Sequence, residues 1–265
     1  MKTVKLQNGN RINCISRIEA QMLENHINGY FDDKILIENN DVIFDVGANI
    51  GMFGIKLSEK YSSINIYAFE PIKDIYQILE SNAVSSGNEN FRAHQIGFSD
   101  KIENVSFNFY PNSPAMSSSN PEIWNSNKDL VVAVKGSLHN GPSKWWWAKF
   151  IPQFLYPLII KVLKGKMKKV NCELNTISNF ISNNSIGKIN LLKIDCEGSE
   201  LKVIEGIKES DWDKIEQLII EVHDIDGRLE YMKNLLKSKG YKIFINREES
   251  LIETNLYNIF ANRRH

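Results

Sequence analysis

The chain has 265 residues, 42% of them hydrophobic and 24% charged, which suffices for one α/β domain with a sizeable core or one such domain carrying an insertion. Lys plus Arg and Asp plus Glu balance at 32 each, so no global basic excess points to nucleic acid as a partner and any electrostatic preference must be local. Cys14, Cys172 and Cys196 lie far apart without a CxxC pair, which argues against a disulfide framework; with no long apolar run behind Met1–Lys5, a cytoplasmic location is expected.

Residues 1–40 precede the first sheet strand, and Ile18–Gly29 within them reads as a helix capping one end of the sheet. Val42–Val46 reads as a buried strand and Gly51–Lys60 as a helix. Ile64–Glu70 is a second strand; Pro71 then suits the first turn of the helix Ile72–Ser86, which Gly87 ends. Phe91–Ile96 and Glu103–Phe109 read as further strands. From Pro111 to about Lys168 the alternation breaks, first into a Ser/Asn-rich loop (Asn112–Pro121) and later into an apolar, Trp-rich stretch.

The alternation then resumes. Lys169–Glu173, Ile189–Asp195 and Gln217–Val222 read as strands; Thr176–Ser182, Glu200–Ser210 and Leu229–Lys239 read as helices; Tyr241–Asn246 and Leu256–Ala261 close the chain as a strand pair. The expected fold is α/β, a Rossmann-like, doubly wound and mainly parallel sheet with an antiparallel C-terminal edge strand. A helical cap over 1–40 precedes one domain over 41–265, with an insertion at about 111–168.

The first strand runs into Asp45-x-Gly47-x-Asn49-x-Gly51, followed by a helix, at the place where open α/β sheets bind ligands. Gly47 lets the chain turn sharply, and Gly51 permits close strand–helix packing. The spacing is not the G-x-G-x-x-G of dinucleotide sites, which disfavours an NAD-dependent oxidoreductase and favours a ligand without a pyrophosphate. Glu70 ends the second strand, 19 residues after Gly51, where a carboxylate can accept from both hydroxyls of a ribose. In the Gly97-Phe98-Ser99-Asp100 turn, Phe98 is placed to line a purine face and Asp100 to accept from an adenine amino group.

The Asp45-Val46-Gly47-Ala48-Asn49-Ile50-Gly51 loop, the Gly97–Asp100 turn and Lys193-Ile194-Asp195-Cys196-Glu197-Gly198-Ser199-Glu200 together resemble the FkbM-type methyltransferases, over roughly residues 40–110 and 168–225. That resemblance implies the class I methyltransferase fold, S-adenosylmethionine (SAM) as methyl donor and a hydroxyl acceptor on a sugar, polyketide or other natural product. Asp45, Gly47, Ala48, Asn49, Gly51, Glu70, Phe98, Ser99 and Asp100 are then the expected cofactor residues. N-methylation, or a non-catalytic binding module acting through the insertion, are the competing readings.

Methyl transfer needs in-line alignment and a base for the acceptor's proton. Asp195 ends the fourth strand with Glu197 following on the loop, and Glu221 and His223 lie at the end of the fifth, so Asp195, Glu197 and His223 are the catalytic candidates. Their structural alternatives are a helix cap for Asp195, loop-amide contacts for Glu197 and a buried structural role for His223. Carboxylate oxygens also suit a hard cation, but nothing in the spacing fixes a geometry and no metal is assigned. Lys193 is expected to pair with a carboxylate, and Cys196, between two acids, is a poor nucleophile.

Lys144-Trp145-Trp146-Trp147-Ala148-Lys149-Phe150-Ile151 and the apolar run to Leu163 are broken by Pro152 and Pro157, and Lys164, Lys166, Lys168 and Lys169 follow. The stretch is too interrupted to span a bilayer. Tryptophans beside a basic run fit a membrane-surface contact over 145–169; a lid over the acceptor pocket and a core or oligomer contact are the alternatives.

Overall fold

The computed structural model describes residues 1–31, 34–120, 127–139, 146–247, 252 and 254–264. The chain opens with a feature the sequence reading did not contain, an antiparallel hairpin of β1 (Lys2–Lys5) and β2 (Arg11–Cys14). Val4, Ile12 and Cys14 point inward while their neighbours face solvent, the period-two pattern of a half-buried ribbon. Helix α1 (Arg17–Ile27) follows, its N-terminus capped by the Ser16 side chain accepting from the Glu19 amide. A 3-10 turn, Asn28–Tyr30, then buries the Tyr30 ring. The cap is tied down by buried Asn82, whose side chain exchanges hydrogen bonds with the Asn13 backbone at 2.8 and 3.0 Å and donates to Ile50 O at 2.8 Å.

The β/α alternation runs through β3 (Val42–Val46), α2 (Met52–Lys60), β4 (Asn65–Phe69), α3 (Lys73–Ser85) and β5 (Phe91–His94). After an interruption it continues through α6 (Ile177–Asn183), β9 (Leu191–Ile194), α7 (Glu200–Glu205), β10 (Gln217–His223) and α8 (Arg228–Ser238), ending in β11 (Lys242–Asn246) and β12 (Leu256–Asn262). The central sheet has the order β5-β4-β3-β9-β10-β12-β11. β3, β4, β5, β9 and β10 pair in parallel; β12 runs antiparallel and is threaded between β10 and β11.

Alternate residues of the central strands feed two cores. Ile43, Ile66, Leu191 and Ile219 pack with α2, α3 and the cap through Phe53, Leu57, Ile75 and Tyr30. Phe44, Phe69, Leu192 and Ile220 pack with α6, α7 and α8 through Phe180, Val203 and Leu236. Each such fully buried side chain contributes ~1.5–3 kcal/mol relative to exposure.

Lys169–Glu173 is a strand, as expected, but it does not join the central sheet. β8 (Lys168–Asn175) pairs antiparallel with β7 (Glu103–Phe109), and the short β6 (Gly97–Phe98) completes a separate three-stranded sheet. Phe109 and Lys168 are register partners, so the excursion from residue 110 to 167 leaves and rejoins the fold at adjacent points. It contains two further helices, α4 (Asn127–His139) and α5 (Tyr156–Leu163), packed through Leu130, Val134, Tyr156 and Ile160. Helix α4 was not foreseen. Of the expected Ser/Asn loop and Trp run, Pro121, Lys144 and Trp145 lie outside the described residues, as does the Lys149 side chain.

Candidate active site

A cavity of about 1140 Å³ opens at the carboxyl ends of β3, β4, β9 and β10, roofed by α1 on one side and by the insertion on the other. Of the expected cofactor residues, Gly47, Asn49, Glu70, Phe98 and Ser99 line it; Asp45, Ala48, Gly51 and Asp100 do not. Asp45 is fully buried and pairs with Lys193 at 3.0 Å, so the loop's first residue anchors β9. Asp100 is exposed and accepts from Ser99 Oγ at 2.9 Å.

The loop's glycines serve backbone packing. Gly47 has φ +76°, and a Cβ there would lie 1.8 Å from the Asp195 carbonyl oxygen, so the close approach it permits is to the chain after β9. The Gly47 and Ala48 amides both donate to Phe69 O, the Gly51 amide to Ala48 O and the Ile50 amide to Asn49 Oδ1. These donors are therefore spent inside the fold, and the loop offers a ligand mainly its shape. Asn49, at φ +50°, reaches its neighbours in two directions: its side chain bonds Glu19 of the cap and its amide bonds Glu70. Asn is among the few residues that tolerate this left-handed conformation.

Glu70 lies at the cavity wall, 6% exposed, and also accepts from the Ile72 amide at 2.9 Å. Burial raises its pKa to about 8 against the pull of the two amides. Ile72, Ile75 and Phe98 supply apolar wall beside it, and Phe98 stands edge-on to Phe69 with ring centroids 4.7 Å apart. A single recessed carboxyl beside apolar wall fits a nucleoside with vicinal hydroxyls, and so fits SAM.

The opposite side of the cavity holds the expected catalytic residues, all three of them in its lining. Asp195 Oδ2 lies 3.5 Å from Lys193 Nζ and 3.2 Å from the Tyr30 hydroxyl. The same hydroxyl lies 3.2 Å from Glu221 Oε2 and 2.9 Å from His26 Nε2, which is itself 3.2 Å from Glu221 Oε2. One hydroxyl has one proton to donate, so the two carboxylates compete for it, and His26 in its Nε2–H form gives Glu221 a second donor. Sequence reasoning missed His26 and Tyr30. His26, Asp195 and Glu221 also bring one ligand-type atom each within 4.8 Å of one another, a nitrogen and carboxylate set of the kind that divalent cations accept.

The loop after Asp195 is built on Glu200, whose Oε1 accepts from the Gly198 amide at 2.6 Å and the Cys196 amide at 3.3 Å. That folding puts Glu197 at φ +47° and Gly198 at φ +87°. Glu197 Oε2 is buried with no hydrogen-bond partner among the described residues and lies 3.7 Å from His223 Nε2. Burial and the neighbouring Asp195, Glu221 and Glu200 charges push the Glu197 carboxyl well above the ordinary carboxylate range, with His223 pulling the other way. Burial opposes a charge on His223, yet a hydrogen bond and charge from Glu200, with Glu197 and Glu221, raise its pKa to about 9. Lys193 is buried too, but Asp45 and Asp195 keep it protonated. Burial, Glu200 and Asp195 push the Cys196 thiol up and leave it a poor nucleophile.

The insertion grips this loop directly. Ser118 Oγ donates to Glu197 O at 2.7 Å, Ser119 Oγ lies 3.2 Å from Ser199 Oγ, and the Ala115 amide donates to Glu19 of α1 at 2.6 Å.

A parallel sheet with one antiparallel strand threaded between its last two, a cavity at its carboxyl edge and an acid closing its second strand define a class I methyltransferase. The chain belongs to the FkbM family: the model of the methyltransferase FkbM domain matches residues 45–243. Its methyl donor is SAM. Among curated proteins it is 29% identical to the 31-O-demethyl-FK506 methyltransferase FkbM of Streptomyces tacrolimicus, over 99% of this chain and 97% of that one. It is 28% identical to methyltransferase sdnD of Sordaria araneosa, covering 89% of this chain and 87% of that protein. The hexuronic acid methyltransferase AglP of Haloferax volcanii is 24% identical over 70% of this chain and 57% of its own length.

Proposed function

We propose that the chain is an O-methyltransferase acting on a hydroxyl of a glycan, lipid-linked sugar or related natural product. The observation that carries this reading is Glu197: a carboxyl in the cavity wall with a raised pKa and a buried oxygen that has no hydrogen-bond partner among the described residues. A sugar hydroxyl is a poor nucleophile until its proton can leave, and a carboxyl raised above the ordinary carboxylate range receives that proton more effectively than an ordinary one. The name of one relative specifies an oxygen position and that of another a hexuronic acid, which supports an oxygen acceptor on a natural product or sugar.

When bound, SAM supplies a sulfonium methyl as the electrophile. Glu70 holds the ribose hydroxyls, and Gly47, Asn49, Phe98 and Ser99 shape the nucleoside's surroundings. Glu197 takes the acceptor's proton. His223, expected as an alternative base, is the cationic partner that keeps the Glu197 carboxylate accessible, because a group with pKa about 9 already holds its proton at neutral pH. Asp195 and Glu221, fixed by Lys193, Tyr30 and His26, orient the acceptor.

Glu197→Gln is expected to lower methyl transfer by roughly 10²–10⁴-fold, the usual worth of a general base. The readouts are mass spectrometry of glycans from cells carrying each variant and calorimetric SAM affinity, which should stay unchanged. Full glycan methylation by Glu197→Gln would remove the base assignment. The activity of the parent protein should climb with pH, because the base must be unprotonated and burial holds the Glu197 proton well above the ordinary carboxylate range.

A further inference from the structure

The net charge of the chain is zero, yet residues 130–172 contain eight lysines and no aspartate or glutamate. The same stretch carries a run of exposed large apolar side chains: Trp146 at 66% exposure, Phe150 at 68%, Phe154 at 78%, and Leu158 and Val162 each at 59%. Isolated exposed apolar residues are ordinary, but an aromatic cluster embedded in a one-signed basic segment is the composition of an interfacial membrane anchor. Among the described residues no helix is long and apolar enough to cross a membrane, so the segment can only lie on one.

A second observation fixes what such docking would accomplish. Helix α5 turns Tyr156 and Ile160 inward against α4, while Leu158 and Val162 are exposed and at the same time line the active-site cavity. Leu130, Val134 and Leu138 of α4 continue that lining inward. The cavity is therefore apolar along α4 and α5 and polar at Asp195, Glu197, Glu221, His223 and the Ser/Asn segment 112–120, and its apolar wall shares Leu158 and Val162 with the exposed ridge. That profile matches an amphiphile with a hydroxylated head and a long apolar tail.

We propose that the insertion docks on an anionic bilayer and admits a lipid-linked acceptor from it, the lipid chain lying along α4 and α5 and the hydroxylated head reaching Glu197. This rests on the O-methyltransferase reading and names its substrate class. Anionic lipid is the chosen partner because the lysines and the apolar ridge belong to one segment, and a bilayer answers both at once.

The full chain is incubated with phosphatidylcholine vesicles with and without phosphatidylglycerol, some carrying tail-brominated lipids. It is expected to sediment with the anionic vesicles only, with tryptophan fluorescence quenched by the brominated tails. The triple variant Trp146→Ser/Phe150→Ser/Phe154→Ser should lose vesicle binding by roughly tenfold or more while keeping calorimetric SAM affinity, which shows that it folds. In a second arm, dodecyl maltoside below its micellar concentration should raise the melting temperature where maltose does not, and Leu158→Glu/Val162→Glu should abolish that rise. Failure to sediment with SAM affinity intact overturns the docking and leaves the methyltransferase reading standing. So does sedimentation without tail quenching, or a dimer that depends on the same three aromatics and ignores vesicles. An equal response to maltose and dodecyl maltoside overturns the lipid-linked acceptor.

Discussion

Glu70 is a carboxyl with two amide donors and almost no solvent, and its pKa of about 8 leaves it protonated at neutral pH. Ribose hydroxyls donating to it would favour the carboxylate, so SAM binding near pH 7 is expected to release a proton. Calorimetry in buffers of different ionisation enthalpy reads this, and Glu70→Gln should abolish the release and weaken binding. A folded pKa of about 8 above the ordinary 4.5 means that Glu70's contribution is fully present below 4.5 and is lost as pH rises through 8. Glu70→Gln should therefore flatten the melting temperature against pH across that window. Gly47 is a harsher test: with φ +76° and a Cβ placed 1.8 Å from backbone, Gly47→Ala should cost several kcal/mol, about the upper range for strain plus overlap, read by chemical denaturation. Glu70, Asp195, Glu197 and His223 were legible because a strand end announces itself in sequence. His26 and Tyr30 were not, since they reach the site only when the cap folds back across it, a contact between Tyr30 and Glu221 that spans 191 positions. The pairing of Asp45 was not legible for a related reason: its partner Lys193 is 148 positions away, and only their meeting turns a loop acid into an anchor.

At the level of elements, β7 and β8 form the stem from which the insertion projects, and Phe109 faces Lys168 across it. Replacing residues 111–166 with a short turn is expected to keep SAM affinity, measured by calorimetry, and to abolish methyl transfer. The reason is that Glu70 and the β3–α2 loop stay in place while Ser118 no longer holds Glu197 O and the acceptor wall is gone. Lost SAM affinity would show that the insertion also builds the donor site. The sequence placed both strands of this stem but gave β8 to the parallel run, because alternation of strand and helix carries no information about which strand is the neighbour. It missed α4 outright: Asn127-Lys128-Asp129-Leu130-Val131-Val132-Ala133-Val134 is rich in β-branched residues, and Gly136 follows, so local propensity argues against the helix that packing on α5 stabilises.

Across the whole molecule, two additions close one cavity. The hairpin and α1 come from before the sheet, the insertion from its middle, and they meet where the Ala115 amide bonds Glu19. The mainly parallel α/β class was within reach of sequence reasoning because buried five-residue strands followed by amphipathic helices are a repeated local signal. The closure was not, since it depends on buried polar links such as Asn49 to Glu19 and Tyr30 to Asp195 that join segments with no shared period. Charge is distributed with the same division of labour: acids gather at the sheet's carboxyl edge, and lysines gather on the insertion.

The pairing of Phe109 with Lys168 has a consequence for how such enzymes diversify. Because the excursion starts and stops on neighbouring rungs of a ladder, a longer, shorter or unrelated tip costs the fold little more than a change in loop closure, about 0.6 kcal/mol per doubling of length. On the proposed function, donor chemistry is encoded in the sheet and acceptor choice in an exchangeable tip. Lineages can therefore trade one tip for another and inherit new substrates without relearning how to hold the methyl donor.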